Sequence, residues 1–404
     1  MLKPPPRILD HASLSVTQGP WPAALDAVLS PAMAEAALAE IADWPGYAPT
    51  PIQQLDRLAE ALGLGAVYYK DESHRFALES FKALGGAYGV LRLAAAQVAE
   101  QSGTTPALSR IRAGAFREQL RELTVTTATD GNHGRSVAWG AQMAGCRCRI
   151  YIHATVSTGR QQAMEALGAE VVRIEGDYDE SVIRCARDSE ENGWFVVSDT
   201  SYEGYTDVPR EVMAGYSVMA SEALKQLADA PPTHLFIQGG VGGVAAALCA
   251  RFWQGLGERR PRTVVVEPAS AACILATARA GQPTQVLLEE ETLMAGLSCG
   301  TVSLLAWDIL KVGASDYLTI GEEGVAPAMR LLASGEAGGG AIVAGESAVA
   351  GLIGLIAAAQ DETLRAGLGL GPDSRVFLLG SEGATDPDIY RQLVGSGPQA
   401  ASGQ

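Results

Sequence analysis

A recurring pair of segments constrains the fold most: a short β-branched strand followed at once by an amphipathic helix. The pair appears as "LTVTTATDG" then "NHGRSVAWGAQMAG", as "CRIYIHA" then "GRQQAMEALGA", and as "EVVRIEG" then "DESVIRCARDSEENG". Further strands follow in "THLFIQGG", "RTVVVEP" and "SRVFLLGSEG". Strands that alternate with helices form parallel sheets with helices on their faces. The sequence therefore predicts an α/β fold with parallel or mixed sheets, in two blocks that divide near residue 205.

The composition narrows the class of ligand. The chain has 404 residues, 47% of them hydrophobic, and a formal net charge of -16. Nucleic acids and anionic membrane surfaces bind clustered positive charge, so this balance predicts neither as a partner. No stretch approaches the roughly 20 apolar residues that span a bilayer, and the start of the chain lacks the apolar run of a signal peptide. We expect a cytoplasmic protein with a small-molecule ligand.

Cysteine and histidine spacing predicts no metal site. The six cysteines form no CxxC pair, and the five histidines include no HExxH or comparable ligand spacing. Neither a disulfide scaffold nor a zinc ribbon is therefore indicated.

One lysine, Lys82, stands in an unusual context, "ESFKALGGAYG" at residues 79–89. Small residues beside it favour a side chain that points inward, and burial lowers the pKa of a lysine and makes it nucleophilic. The alternative is a lysine at the solvent edge of an ordinary amphipathic helix. This stretch alone does not decide between them.

A glycine loop follows the strand of "FIQGGVGGVAAA". Glycines let backbone N–H groups approach phosphate oxygens, and the N-terminus of the next helix attracts anions. A rival interpretation is a dinucleotide-binding fingerprint, G-x-G-x-x-A from Gly240 to Ala245, with Glu267 at the end of the next strand. A third interpretation is a tight strand-to-helix turn that binds no ligand. The predicted phosphate-binding residues are Gly239, Gly240, Val241, Gly242 and Gly243.

A polar cluster, "TATDGNHGRS", follows another strand. Polar groups at the carboxyl end of a parallel strand face the ligand crevice of an α/β sheet. An Asp-Gly turn that precedes an N-capped helix explains the same letters without a ligand. The candidate site residues here are Thr129, Asp130, Asn132 and His133.

Taken in order, Ser80-Phe81-Lys82, Gly131-Asn132-His133-Gly134 and the glycine loop resemble the pyridoxal-phosphate enzymes of the tryptophan-synthase-β fold, fold type II. The resemblance implies pyridoxal 5'-phosphate as cofactor, held by a Schiff base to Lys82. It further implies that Phe81 lies at the cofactor, that Asn132 contacts its 3'-oxygen and that the glycine loop binds its phosphate. Ser80, Thr129, Asp130 and His133 are the implied substrate-binding residues.

The last strand of that family carries a hydroxyl that meets the pyridine nitrogen. In "LLGSEGATD" the first candidate for it is Ser381 and the second is Thr385. The turn departs from the commonest pattern, because Gly380 stands where a serine often does.

Four stretches resemble the diaminopropionate ammonia-lyase family more closely: "TDGNHG", "SDTSYEGYTDVPREVMAGY", "VEPASAAC" and "MAGLSCG". The resemblance implies α,β-elimination of ammonia from 2,3-diaminopropionate, as the L- and also the D-enantiomer, giving pyruvate and two ammonia. Lys82, Asp130 and Asp199 are the implied catalytic residues. A serine or threonine dehydratase of the same fold is the alternative, and a nicotinamide-dependent oxidoreductase is a more distant one.

The same resemblance implies a domain arrangement and an assembly. Residues 1–84 with 205–404 are predicted to form the larger cofactor domain, and 85–204 a smaller mobile domain that closes over substrate. A homodimer is expected, with an amino acid as the small-molecule partner. Cys273 and Cys299 fall where some members carry a cysteine pair close to the active site. Either a redox-labile bridge or two packed thiols would fit, and thiols are favoured in a reducing cytoplasm.

Overall fold

A computed structural model describes residues 2–3 and 5–398. These residues form two compact units. The first unit contains the described residues up to Pro31, Pro49–Ser80, and the described residues from Met219 onward. The second unit contains Ala32–Ala48 and Phe81–Val218.

The strands follow the chain order used below. They are β1 Ile8–Ser13, β2 Ile52–Gln54, β3 Ala66–Asp71, β4 Thr124–Ala128, β5 Arg147–Ile152, β6 Glu170–Arg173, β7 Phe195–Val196, β8 His234–Gln238, β9 Arg262–Pro268, β10 Asp316–Ile320 and β11 Arg375–Gly380.

The α-helices are α1 Asp26–Leu29, α2 Pro31–Ile41, α3 Asp56–Leu62, α4 Lys82–Ser102, α5 Leu108–Arg112, α6 Arg117–Leu120, α7 Asn132–Ala144, α8 Thr158–Glu165, α9 Tyr178–Asn192, α10 Asp207–Gln226, α11 Gly243–Leu256, α12 Cys273–Ala280, α13 Leu304–Gly313, α14 Val325–Ala333, α15 Ala350–Gln360, α16 Glu362–Leu368 and α17 Pro387–Val394. None of the helices within residues 2–3 and 5–398 is both long and apolar enough to cross a membrane.

The first unit contains a sheet of seven strands in the order β1-β10-β9-β8-β11-β3-β2. Its five inner strands are parallel, and β1 and β2 pair antiparallel at the two edges. Helix α15 is buried against this sheet, and a Cβ at Gly351 would lie 2.7 Å from the carbonyl oxygen of Phe236. Glycine in the helix thus lets two backbones approach without a side chain between them.

The second unit contains a parallel sheet of four strands in the order β6-β5-β4-β7. Helix α7 follows β4, and it packs against α4 at very short range: a Cβ on Gly140 would lie 2.7 Å from the Cα of Ala87. The hydroxyl of Ser136 on α7 also accepts a hydrogen bond of 2.9 Å from the N–H of Ala87. Together the two units confirm the predicted α/β fold with parallel and mixed sheets flanked by helices.

A network of buried charges lies in the first unit beside β3. Lys70 donates to Glu222 at 2.6 Å, and Arg75 donates to Glu72 at 2.7 Å and to Glu222 at 2.9 Å. The four side chains are at most 2% exposed. Two cations therefore meet two carboxylates, which compensates the cost of removing all four from water.

The turn between β3 and α4 begins in this network and continues to Ser80, where the first unit gives way to the second along the chain. Phe76 and Glu79 in the turn have left-handed backbone angles, with φ of 51° and 55°. Non-glycine residues take such angles only when the surrounding structure imposes them. The domain ranges predicted from the sequence, with a mobile segment at 85–204, stay a prediction.

The close approach of α4 and α7 predicts the effect of adding one methyl group. Gly140→Ala forces a Cβ against the Ala87 backbone, so we expect the free energy of unfolding to fall by about 1–3 kcal/mol, as for other overpacked sites. The measurement is urea unfolding of the full chain without cofactor. Gly159→Ala in α8 is the control, because its Cβ would meet nothing closer than the Ser157 hydroxyl at 4.0 Å. Equal effects of the two substitutions would contradict the steric argument.

Candidate functional site

The site in the second unit is organised around an ion pair between Lys82 and Asp199. Lys82 is the first residue of α4, and Asp199 lies in the segment between β7 and α10. Nζ of Lys82 donates to Oδ2 of Asp199, with the two side chains 20% and 14% exposed. The lysine is therefore not a solvent-edge residue of an amphipathic helix.

The ion pair shifts the pKa of both Lys82 and Asp199. Burial is the largest single influence and lowers the pKa of Lys82, but Asp199, Tyr216 and Asp130 together outweigh it, and the net pKa lies well above its ordinary value. Burial raises the pKa of Asp199, yet Lys82 and His133 hold it well below the usual range. The expectation that burial would leave Lys82 with a lowered pKa is thus wrong for this state of the protein. The missing element was the carboxylate beside it.

Two aromatic rings lie beside the lysine. Nζ of Lys82 is 5.4 Å from the centroid of the Phe81 ring and 5.8 Å from that of Tyr216. The Tyr216 hydroxyl donates to Oδ2 of Asp199 at 3.1 Å. Sequence reasoning missed Tyr216 as a site residue, although it ends the quoted stretch "SDTSYEGYTDVPREVMAGY" that also contains Asp199.

His133 has one ring nitrogen without a partner in the described part of the chain. Its Nε2 lies 2.8 Å from the carbonyl oxygen of Val197, which requires the proton on Nε2. Nδ1 is buried and has no hydrogen-bond partner among residues 2–3 and 5–398. Because burial lowers the pKa of His133, the ring is neutral and Nδ1 is a bare acceptor. Such an atom fits a donor on a bound ligand.

The turn that carries "TDGNHG" is held by Thr129. Its hydroxyl accepts from the N–H groups of Gly131 at 3.0 Å and Gly134 at 3.2 Å, so this side chain shapes the turn. Asn132 is the first residue of α7, whose N-cap residue provides no side-chain hydrogen bond. Asp130 is half-buried and near enough to raise the pKa of both Lys82 and His133. The turn thus places a second carboxylate close to the amine.

The glycine loop lies in the first unit, between β8 and α11. A Cβ on Gly239 would come within 2.9 Å of the side chains of Val265, Glu267 and Ile274, and Gly242 has a φ of +90°. No side chain caps the N-terminus of α11, where Gly242 is the N-cap residue and Gly243 the first helical residue. Val241 accepts from the N–H of Ser303 at 2.9 Å, which holds the loop. Glycine backbone and an uncapped helix of 14 residues suit a phosphate.

Glu267 argues against the dinucleotide-binding alternative. Its two carboxylate oxygens accept from the N–H groups of Ile274 and Leu275, each at 2.8 Å, and its side chain is fully buried. Burial raises its pKa to about 8. A residue that caps α12 in this way is not available to bind a ribose hydroxyl. The glycine loop therefore lacks the acidic partner of that fingerprint.

Ser381 and Thr385 follow β11 in the first unit. Ser381 is buried, and the N–H of Thr385 donates to Gly383 at 2.9 Å. A Cβ at Gly380 would lie 2.2 Å from the ring of Tyr69, so glycine is required because the tyrosine fills that space. Ser80 pairs with Glu382 in an isolated bridge. Which hydroxyl meets a pyridine nitrogen stays a prediction.

Cys273 and Cys299 both lie near Gly240 of the loop. The Cys273 thiol is 3.5 Å from the Gly240 carbonyl oxygen, and Sγ of Cys299 is 3.3 Å from the position of a Gly240 Cβ. Within the described residues neither of them forms a disulfide.

The predicted site residues fall in two groups. The second unit brings together Lys82, Phe81, Asp199, His133 and the Asp130 turn. The first unit contains the glycine loop and Ser80, Ser381 and Thr385. The group in the second unit offers an amine and a bare buried acceptor, which suit a carbonyl compound. The group in the first unit offers a glycine loop at a helix N-terminus, which suits a phosphate. Within the described residues no cluster of potential metal ligands is present.

Comparison with known proteins agrees with this assignment. Residues 44–379 match the model of the family described as pyridoxal-phosphate dependent enzyme. The diaminopropionate ammonia-lyase of Salmonella typhimurium is 34% identical over 366 residues, which cover 88% of this chain and 90% of that protein.

Solved structures agree over nearly the whole length. The holo diaminopropionate ammonia lyase of Escherichia coli has a TM-score of 0.87 at 33% identity, with 98% of this chain and 99% of that chain covered. The same enzyme in complex with D-serine has a TM-score of 0.87 at 32% identity and the same coverage.

The glycine loop allows a matched test at the two ends of α11. Gly242→Ala places a Cβ in the loop at a left-handed φ, and Gly257→Ala does the same at the other end, where φ is +58° and no atom lies within 4 Å. Both substitutions put an alanine at a positive φ, which strains the backbone. We expect only Gly242→Ala to weaken binding of pyridoxal phosphate and of competing inorganic phosphate, by roughly tenfold or more. Isothermal titration measures both; equal loss in the two variants would contradict a phosphate cradle.

Proposed function

The chain belongs to the pyridoxal-phosphate dependent enzymes and, among them, to the diaminopropionate ammonia-lyase family, and we propose that it eliminates ammonia from 2,3-diaminopropionate. The products are pyruvate and two molecules of ammonia, the second released by hydrolysis. The predicted cofactor is the one for which the family is named. The single observation that carries the proposal is an amine, Lys82, paired with one carboxylate, Asp199, and close to a second, Asp130.

The residues that hold the cofactor follow from the resemblance. Lys82 would bind its carbonyl carbon, Asn132 would hold its 3'-oxygen, and the loop Gly239–Gly243 would hold its phosphate. Ser381 or Thr385 faces its ring nitrogen. When bound, pyridoxal phosphate accepts the negative charge that develops at the substrate's Cα.

Two groups of this chain move the Cα proton. Nζ of Lys82, once free of its proton, accepts it from the L-enantiomer. Asp130 accepts it from the D-enantiomer, whose Cα proton points to the opposite face. Asp199 stabilises the ammonium form of Lys82 after the transfer, because a buried cation needs a nearby negative charge.

Charge also explains the choice of substrate. The β-amino group of diaminopropionate is a cation when protonated, and carboxylates beside it favour its binding over the neutral hydroxyl of serine. Asp130 and Asp199 supply that charge. A serine or threonine dehydratase needs the same lysine and cofactor but no added carboxylate, and so the dehydratase alternative is the less favoured.

The proposal includes an assembly and a location. We expect a homodimer, because two-fold assemblies predominate among soluble enzymes and the resembled family implies one. A cytoplasmic location is expected from the sequence. Light scattering of the purified chain measures the first.

The activity itself is tested with a substrate panel. We expect ammonia and pyruvate release from both diaminopropionate enantiomers, at rates well above those with serine or threonine. Borohydride reduction followed by peptide mapping should place the cofactor on Lys82. Preferential turnover of serine or threonine, or label on another lysine, would overturn the proposal.

A single substitution separates the two proton acceptors. Asp130→Asn removes the carboxylate at similar size, so turnover of the D-enantiomer should fall at least ~100-fold while turnover of the L-enantiomer falls far less. Steady-state kinetics with each enantiomer measure the difference. Asp179→Asn, an exposed residue of α9, is the control. Equal losses on the two enantiomers would contradict the assigned role of Asp130.

A further inference from the structure

We propose that Tyr216 is a positioning residue of this site, whose hydroxyl shares one oxygen of Asp199 with Lys82 and so limits how tightly Asp199 holds the lysine's proton. The proposal rests on the proposed function for its catalytic meaning. Its geometry is independent of the substrate.

Both donors meet the same atom. Nζ of Lys82 and the hydroxyl of Tyr216, the latter at 3.1 Å, donate to Oδ2 of Asp199. An acceptor oxygen that serves two donors gives each less electron density than it gives one alone. The hydroxyl of Tyr216 therefore competes with the ammonium of Lys82 for Oδ2.

The Tyr216 ring is fixed by glycines on two helices. A Cβ on Gly85 of α4 would lie 2.3 Å from Cε1 of Tyr216, and a Cβ on Gly215 of α10 would lie 2.6 Å from the carbonyl oxygen of Leu84. The ring also contacts Phe81 edge to face, with centroids 4.8 Å apart. Tyr216 is 1% exposed. A ring enclosed in this way cannot turn its hydroxyl to solvent, so the contact with Asp199 is imposed by packing.

The other titratable groups around Asp199 do not replace this hydroxyl. Lys82 faces it from α4, and His133 of α7 lowers the pKa of Asp199 when its ring is charged. The Tyr205 hydroxyl binds the carbonyl oxygen of Val196 at 2.8 Å instead. Asp130 acts on Lys82 and on His133. Tyr216 also acts directly on Lys82, and that direct contact raises the pKa of the lysine. Replacement of Tyr216 by phenylalanine removes this contact together with the donor to Asp199, and the proposal is that loss of the donor has the larger effect.

The competition matters because only the unprotonated lysine reacts. The ammonium of Lys82 must release one proton to water before its nitrogen can bind the cofactor's carbonyl carbon or accept a proton from Cα. Without the hydroxyl of Tyr216, Asp199 holds that proton more tightly. Release then requires a higher pH.

The test compares two tyrosines of the second unit, Tyr216, which is buried, and Tyr205, which is half-buried. Tyr216→Phe and Tyr205→Phe each remove one hydrogen-bonded hydroxyl, but only the hydroxyl of Tyr216 touches Asp199. The pKa of Lys82 is measured on the full chain without cofactor, from the pH dependence of its acetylation by acetic anhydride, followed by mass spectrometry. We expect Tyr216→Phe to move the midpoint upward by roughly half a pH unit or more, and Tyr205→Phe to leave it unchanged.

A second measurement separates positioning from a purely structural role. In an Asp199→Asn background, Tyr216→Phe should cause no further shift, because the shared acceptor is already lost. In the holoenzyme, the acid limb of the kcat/KM profile for L-diaminopropionate should move upward with the labelling midpoint. If the phenylalanine variant does not fold, Tyr216→Leu gives the same test.

The outcomes are distinct. No shift in Tyr216→Phe, a downward shift, an equal shift in Tyr205→Phe, or a shift that persists with Asp199→Asn overturns the proposal. Because acetylation needs no substrate, an upward shift supports it even if the substrate panel contradicts the proposed function.

Discussion

The ion pair of Lys82 and Asp199 is the interaction on which the site depends. A buried ammonium or a buried carboxylate alone is costly, and the pair compensates each cost with the other. The same pair keeps the amine protonated and therefore unreactive. The site must weaken this attraction without abolishing it. The hydroxyl of Tyr216 donates to Asp199, and the ring of His133 lies near it, so these two groups can change how strongly the carboxylate attracts the lysine.

Glycine serves three separate purposes in the molecule. In the loop after β8 it leaves the backbone bare at the N-terminus of α11, where we propose that a phosphate binds, and in α4 and α7 it lets two helices touch. At Gly380 it admits the ring of a neighbouring tyrosine. Sequence alone does not distinguish these purposes, because each depends on the atoms that lie opposite. The departure at Gly380 from the usual serine is an example, since its reason is a side chain on β3.

Short sequence patterns correctly predicted those features of the fold and the candidate site that depend on neighbouring residues alone. The strand-helix repeats, the glycine loop and the polar turn at Asp130 each occupy one short stretch, and the α/β fold followed from them. Strands β1 and β2 were missed because they pair antiparallel at the edges of the sheet, outside the strand-helix repeat, and β3, β7 and β10 were missed as well. The sequence analysis missed the raised pKa of Lys82 and the role of Tyr216. Both depend on side-chain contacts with Asp199, which a sequence does not show. Glu267 looked like a ribose ligand until its helix partner was visible.

The buried network of Lys70, Glu72, Arg75 and Glu222 makes the first unit indivisible. Its members come from the end of β3 and the turn after it, within the first third of the chain, and from the end of α10. A fragment that stops before Glu222 therefore retains two interior cations against one anion. Truncation of this protein must therefore keep the span from β3 to the end of α10 in one piece.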